Sequence, residues 1–423
     1  MHQFKKHVLP NGLRILFVPQ PQGMTATVLV LVEAGSEYET KKINGVSHFL
    51  EHMCFKGTKK RPNALTISSE IESLGAANNA FTSHQMTGYY AKVQPAKFFE
   101  ALDIIADIYV NPVFDEKEIE KEKGVIVEEL NMYEDNPMRK VADLFSDLLY
   151  GDQPAGWDIG GTKETVRAMT KKDIVSYRKD HYVAKATAVV VAGPMNEQEV
   201  LSSIKKLFKD IPVSKKFAKN PVKENQTKPA VLAHYKKSDQ THIILGFRSF
   251  SLFDKRRYAL DVLEDVLGGG MSSRLFQRVR EKLGAAYYVR AGSDLFTDHG
   301  FSAISAGLDN TRTIEVIGAI LDELRKICDK PVTEKELQKS KNHIIGNFLM
   351  GLESSDDLAN FYGSQEIARQ KIAMPKEMVK KIESVTAGEV QKVARDIMKN
   401  QGLNLALIGP FEDKKPFEKI LKL

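Results

Sequence analysis

Thr187-Ala-Val-Val-Val-Ala-Gly-Pro194 is answered 216 residues later by Leu403-Asn-Leu-Ala-Leu-Ile-Gly-Pro410, and the same offset pairs Met169-Thr-Lys-Lys-Asp173 with Val385-Thr-Ala-Gly-Glu389. A register held without a gap over about 25 positions marks a duplicated unit. In the first copy a helix over Lys171 to Tyr182 precedes a buried strand over Ala186 to Ala192. Two homologous halves are therefore expected, residues 1–212 and 230–423, closing on each other as a clamshell. Between them, residues 213–229 belong to a lysine-rich stretch punctuated by Pro212, Pro221 and Pro229, with neither helical nor alternating period. This reads as a linker.

Outward from the repeat, β-branched and apolar runs predict strands at Leu13 to Pro19, Thr25 to Val32, Met86 to Val93, Val231 to Tyr235, His242 to Phe247, Tyr287 to Leu295 and Phe301 to Leu308. Helical periodicity predicts helices that include Ala96 to Val110, Asp115 to Glu134, Met138 to Tyr150, Lys255 to Leu267, Thr333 to Met350 and Asp356 to Arg369. The alternation of strands and helices points to an α/β or α+β protein.

A chain of 423 residues is long enough for two or more self-sufficient cores. Its net charge of +6 comes from 61 basic residues interspersed with 55 acidic ones, so nothing indicates a nucleic-acid partner. Only Cys54 and Cys328 are present, without metal or redox spacing, which suits a reducing compartment. No apolar run approaches the length of a membrane span, and the opening residues lack the look of a signal or transit peptide. A cytoplasmic protein without a membrane anchor is expected.

The chemistry is announced by His48-Phe49-Leu50-Glu51-His52. Residues four apart share one face of a helix, so both imidazoles aim at one point, with the Glu51 carboxylate one turn from His48. The spacing H-x-x-E-H inverts the commoner H-E-x-x-H zinc motif and supports the same chemistry. A catalytic zinc usually takes a third protein ligand and keeps one position for water. Acids crowd the helix at Asp115 to Glu134, where Glu122, Val125, Ile126, Glu129 and Tyr133 fall on one stripe. Glu122 and Glu129 are thus expected to face inward, and buried carboxylates call for a compensating cation.

With these residues the chain resembles the pitrilysin or insulinase family of zinc peptidases, the inverzincins, whose H-x-x-E-H is followed after about 76 residues by a ligand Glu. Here residues 53 to 128 intervene, which is 76, before Glu129. The resemblance implies one zinc per chain held by His48, His52 and Glu129, with Glu51 as general base and Glu122 as an additional acid supporting the site. Gly124 stands where some members carry Asp. It further implies that Asn79, Ala80 and Phe81 lie on an edge strand that pairs with extended substrate, and that Arg280 and Tyr287 reach substrate from the second half. The implied fold class is α+β: two homologous α/β-sandwich halves, each a mixed, largely antiparallel sheet with helices on one face. The implied activity is metal-dependent hydrolysis of peptides or unfolded, presequence-like segments inside a closed chamber. Two-domain members pair two chains, and a chain holding both the zinc motif and the Arg/Tyr pair suits a homodimer. Two alternatives are a non-catalytic core subunit, as in respiratory bc complexes, and a catalytic subunit that needs a second chain. In the second half, the helix near Tyr258 to Leu267 contains no histidine, so only one half is expected to hold metal.

Overall fold

The computed structural model describes residues 3–368 and 371–423, which leaves Arg369, the expected end of one helix, outside the described residues. The first sheet comprises β1 (Lys5–Val8), β2 (Arg14–Pro19), β3 (Ala26–Val32), β4 (Ala77–Thr82), β5 (Thr87–Val93) and β6 (Thr187–Gly193), in the order β1-β2-β6-β3-β5-β4. Among the described residues, only β2 and β6 of this sheet pair in parallel. The second comprises β7 (Ala230–Tyr235), β8 (Gln240–Arg248), β9 (Ala286–Leu295), β10 (Gly300–Asp309) and β11 (Leu403–Gly409), in the order β7-β11-β8-β10-β9. Here β7 and β11 are the parallel pair. Apart from β1, each strand of the first sheet has a counterpart in the second, in the same order.

The helices are α1 (Val46–Cys54), α2 (Ala64–Ser73), α3 (Phe98–Val110), α4 (Glu116–Asp135), α5 (Pro137–Tyr150), α6 (Lys163–Ala168), α7 (Lys171–His181) and α8 (Glu197–Leu207). They continue as α9 (Arg257–Gly268), α10 (Thr313–Asp329), α11 (Glu334–Met350), α12 (Ser355–Ala368), α13 (Pro375–Glu383), α14 (Ala387–Ile397) and α15 (Lys415–Ile420). Among the described residues, no helix is long and apolar enough to cross a membrane. The repeat seen in sequence is carried element for element. Thr170 and Thr386 cap α7 and α14 with matching capping boxes, and the short 3-10 turns Ala184–Ala186 and Asn400–Gly402 lead into β6 and β11.

Two compact units emerge, and neither is a continuous stretch of chain. The first takes residues up to Asn131, Trp157–Asn220 and Leu349–Met374; the second takes Met132–Gly156, Pro221–Phe348 and Pro375–Leu423. The division expected at residues 213–229 separates the repeats in sequence, whereas α5 and α12 each pack with the sheet of the other repeat.

In the first unit β3 and β6 are buried at every position, as continuous apolar strands require when both faces are covered. Val28, Val30 and Val32 join the core beneath α3 and α1, forming the expected helical layer. On the opposite face α12 lies against Leu29, Leu31 and Val190. A Cβ at Gly363 would stand 2.7 Å from Leu31 Cδ1, so glycine permits this approach. Ser355 Oγ lies 2.8 Å from both Thr25 Oγ1 and Thr27 Oγ1, and Arg14 bridges Glu33 and Glu366. In the second unit Val141, Phe145 and Leu149 of α5 pack on Ile244, Ala406 and Ile408. Gly246 is the matching small residue, because a Cβ there would meet Phe145 Cζ at 2.8 Å.

Candidate active site

Helix α1 buries Val46, Ser47, Phe49, Leu50, Met53 and Cys54 and leaves His48, Glu51 and His52 half-buried along its remaining face. The core contacts therefore fix which way the motif points. Against that face lies α4, whose buried positions are Ile119, Glu122, Ile126, Val127 and Leu130. Val125, expected on the inward stripe, is instead 51% exposed. The buried line steps from 119 to 122, 126 and 130, at helical spacing, and leaves 125 beyond its rim. Glu129 is half-buried beside it.

His48, His52 and Glu129 converge. Their Nε2 atoms are 3.2 Å apart, and Glu129 Oε2 lies 3.7 Å from His48 Nε2 and 3.5 Å from His52 Nε2. Zinc ligands at about 2.0–2.1 Å in a regular tetrahedron are spaced by about 3.3–3.4 Å. The donor triangle has that size and is made of two imidazoles and a carboxylate, so these residues fit a zinc ion with one position left for water. The neighbouring hydrogen bonds agree. His52 Nδ1 lies 2.8 Å from Glu122 Oε1, an acceptor that holds the proton on Nδ1 and leaves Nε2 as the donor toward a metal. Glu122 Oε2 in turn meets Lys56 Nζ at 2.5 Å. Burial alone would raise the Glu122 carboxyl, but His52 and Lys56 outweigh it and hold it below the usual range. Burial opposes charge on His52 too, and Glu122 prevails by raising it. Glu122 thus lies on the Nδ1 side of the His52 ring, opposite the Nε2 that faces the triangle, where it can orient that ring.

Glu51 shares the half-buried face. Its Oε2 accepts a 2.5 Å hydrogen bond from Thr82 Oγ1 at the end of β4. Burial raises the Glu51 carboxyl above its ordinary value, the Thr82 bond and His52 pull it down, and Glu129 pushes it up. A carboxylate raised in this way holds a proton more readily than an ordinary one, as a general base must.

The loop before α6 packs across the start of α1. Asn44 Nδ2 donates to Asp158 O at 3.0 Å. Gly160 and Gly161 cross the start of the helix so closely that a Cβ on Gly160 would meet Leu130 Cδ2 at 2.8 Å, and one on Gly161 would meet Asn44 O at 2.4 Å. Gly161 also has φ +78°, in the left-handed region that glycine favours.

The remaining expected residues are placed as follows. Asn79, Ala80 and Phe81 lie on β4, which pairs only with β5 and forms one edge of the first sheet. Its outer amides and carbonyls are the kind an extended peptide can join. Arg280 sits in the π-helical turn Phe276–Lys282, its guanidinium 4.8 Å from the Phe276 ring centroid, and Tyr287 is 74% exposed on β9. Both belong to the second unit, whereas His48, His52 and Glu129 belong to the first. Sequence reading assigned no role to Thr82, Lys56, Glu39 or the Gly160–Gly161 pair. Lys56, four residues after His52, and the double glycine left a local signal; Thr82 reaches Glu51 from the end of a distant strand, and Glu39 reaches Asn44, Gly45 and Ser47 across a turn.

Residues 14–163 match the family described as insulinase, peptidase family M16, and residues 168–344 match the one described as peptidase M16 inactive domain. A Streptomyces coelicolor protein described as an uncharacterized zinc protease is 35% identical over 97% of this chain and 90% of its own length. One from Bacillus subtilis with the same description is 35% identical over 96% of this chain and 98% of its own. Among solved structures, a protease from Helicobacter pylori superposes with a TM-score of 0.91 at 25% identity, covering 97% of this chain and all of that one. A peptidase M16 inactive domain from Pseudomonas fluorescens gives 0.89 at 18% identity, over 98% of this chain and 100% of that one, and so shares the fold.

Proposed function

Because the chain belongs to the insulinase family of peptidases, M16, we propose that it is a zinc-dependent endopeptidase acting on peptides or unfolded, presequence-like segments within a closed chamber. The observation that carries this reading is the donor triangle of His48, His52 and Glu129, with edges of 3.2 to 3.7 Å beside an acid not needed as a ligand. Zinc held there would supply a Lewis acid that lowers the pKa of water and polarises a scissile carbonyl. Glu51 takes the proton of the attacking water and passes it to the leaving amine. Glu122 keeps the His52 ring turned toward the ligand triangle, and β4 offers main-chain partners to an extended substrate.

A positioned base contributes about 10²–10⁴-fold. Glu51→Gln should therefore keep zinc, measured by elemental analysis, while cleavage of a quenched unstructured peptide falls by at least about a hundredfold. Metal-free wild-type protein that still cleaves, or a Gln variant at full rate, would refute the assignment. Helix α9 carries no histidine, in keeping with a second half that binds rather than cleaves. Arg280 and Tyr287 are proposed to contact substrate, so alanine at either should raise KM with zinc content unchanged. The active species is proposed to be a homodimer in a reducing, cytoplasmic setting, which the free thiols of Cys54 and Cys328 suit. Sedimentation at the mass of a single 47.4 kDa chain would contradict the dimer.

A further inference from the structure

Glu39 stands nine residues before His48 and is buried, with 3% of its surface exposed. Its carboxylate gathers the start of α1. Oε2 accepts from the Gly45 amide at 2.7 Å and from Asn44 Nδ2 at 3.0 Å, and Oε1 accepts from the Ser47 amide at 2.8 Å. Gly45, the N-cap residue, has φ +92° and supplies no side-chain cap. A Cβ there would stand 2.5 Å from Gly160 O, so an ordinary Ser or Asp cap has no room at that position. Glu39 performs the capping from outside the helix, and its negative charge lies where the helix dipole favours it.

Capping alone would not require a buried carboxylate, whose desolvation is costly. Burial pushes Glu39 up to about 7 even though Ser47, Asn44 and Gly45 donate to it. What this arrangement adds is rotational control. Glu39 grips the amides of residues 45 and 47 with separate oxygens, while Ser47 Oγ donates to Tyr177 OH at 2.7 Å and Asn44 Nδ2 is shared with Asp158 O at 3.0 Å. A helix of nine residues is about 13 Å long. Turning it by one residue's step would swing His48 and His52 out of reach of Glu129.

We propose that Glu39 is a positioning residue of the metal site: it fixes the rotation of α1 so that His48, Glu51 and His52 present one face to Glu129 and Thr82. The zinc part of this inference rests on the reading above; the clamp on α1 does not.

The test uses the full chain with Glu39→Gln, which keeps the shape but turns one acceptor into an amide donor facing a backbone N–H. Asn44→Ala, which removes one donor and keeps Glu39, is a second variant should the first fail to fold. Zinc affinity is read by competition with a chelator, and α1 amide hydrogen exchange is followed in metal-free protein. Support is a zinc affinity weakened about 10–100-fold in Glu39→Gln, with α1 exchanging at least about tenfold faster than wild type while β3 and β6 keep their protection. A smaller loss of the same kind is expected for Asn44→Ala. Folded variants with wild-type α1 exchange, or with faster α1 exchange but unchanged zinc affinity, would overturn the proposal. So would a uniform loss of protection across the unit, which would mark Glu39 as structural only. If wild-type protein takes up no zinc, the metal reading fails, and α1 exchange alone still decides whether Glu39 clamps the helix.

Discussion

Thr82 Oγ1 donates to Glu51 Oε2 at 2.5 Å, joining the end of edge strand β4 to the acid of the H-x-x-E-H helix. The strand proposed to receive substrate therefore also aims the carboxylate proposed as base. A hydrogen bond to a charged group contributes about 1.5–3 kcal/mol. Thr82→Val should lower kcat about tenfold or more, and Thr82→Ser should recover most of it. Because Thr82 opposes the upward push of burial on Glu51, its loss should move the acid limb of the kcat/KM profile to higher pH. Superimposable profiles for wild type and Thr82→Val would remove Thr82 from the site.

Glu122 links His52 Nδ1 to Lys56. Glu122→Gln can still accept one hydrogen bond but cannot balance Lys56. Zinc affinity should fall about 10–100-fold, as read by chelator competition, with secondary structure retained. Since Glu122 raises His52, protons compete with metal for Nε2, and wild-type affinity should decline as pH falls. A Gln variant with undiminished affinity would show that the His52 ring needs no such partner.

Glu264 on α9 predicts a dependence of stability on pH that is separate from catalysis. Burial pushes its carboxyl up to about 8, against hydrogen bonds with Ser302 and Ser293. Between about pH 4.5 and 8 the unfolded chain ionises this group while the folded chain keeps it protonated, so stability is full below that window and declines as pH rises through it. Denaturant melts of Glu264→Gln across pH 5 to 9 should be flatter than those of wild type. Parallel curves would contradict the assignment.

Much of the fold was legible because its signals are local. The β3 and β6 runs are apolar apart from Thr27 and Thr187, and the repeat at offset 216 reproduces the bounds of α7 and β6 in α14 and β11. Strand β1, Lys5–Val8, escaped notice because it is mostly exposed and pairs only with β2. Helical spacing in α1 and α4 brought His48 and His52 to one face and turned Glu122 and Glu129 inward, while the choice of Glu129 over Glu122 as third donor came from the family resemblance. Thr82 and Glu39 could not be read in this way, because their hydrogen bonds cross turns whose geometry no periodicity encodes. The partner sheet of α12 was equally hidden: a helical pattern shows that one face is buried, not what buries it.

The placement of α12 has a consequence for how the chain is made. During synthesis the first sheet emerges with Leu29, Leu31 and Val190 bare on one side, and the helix that covers them follows only at residues 355–368. The amino-terminal half must wait, with greasy strands open to the cell, until nearly the whole polypeptide has left the ribosome. A gene truncated in the inter-repeat segment would yield an aggregating fragment rather than a smaller folded protein.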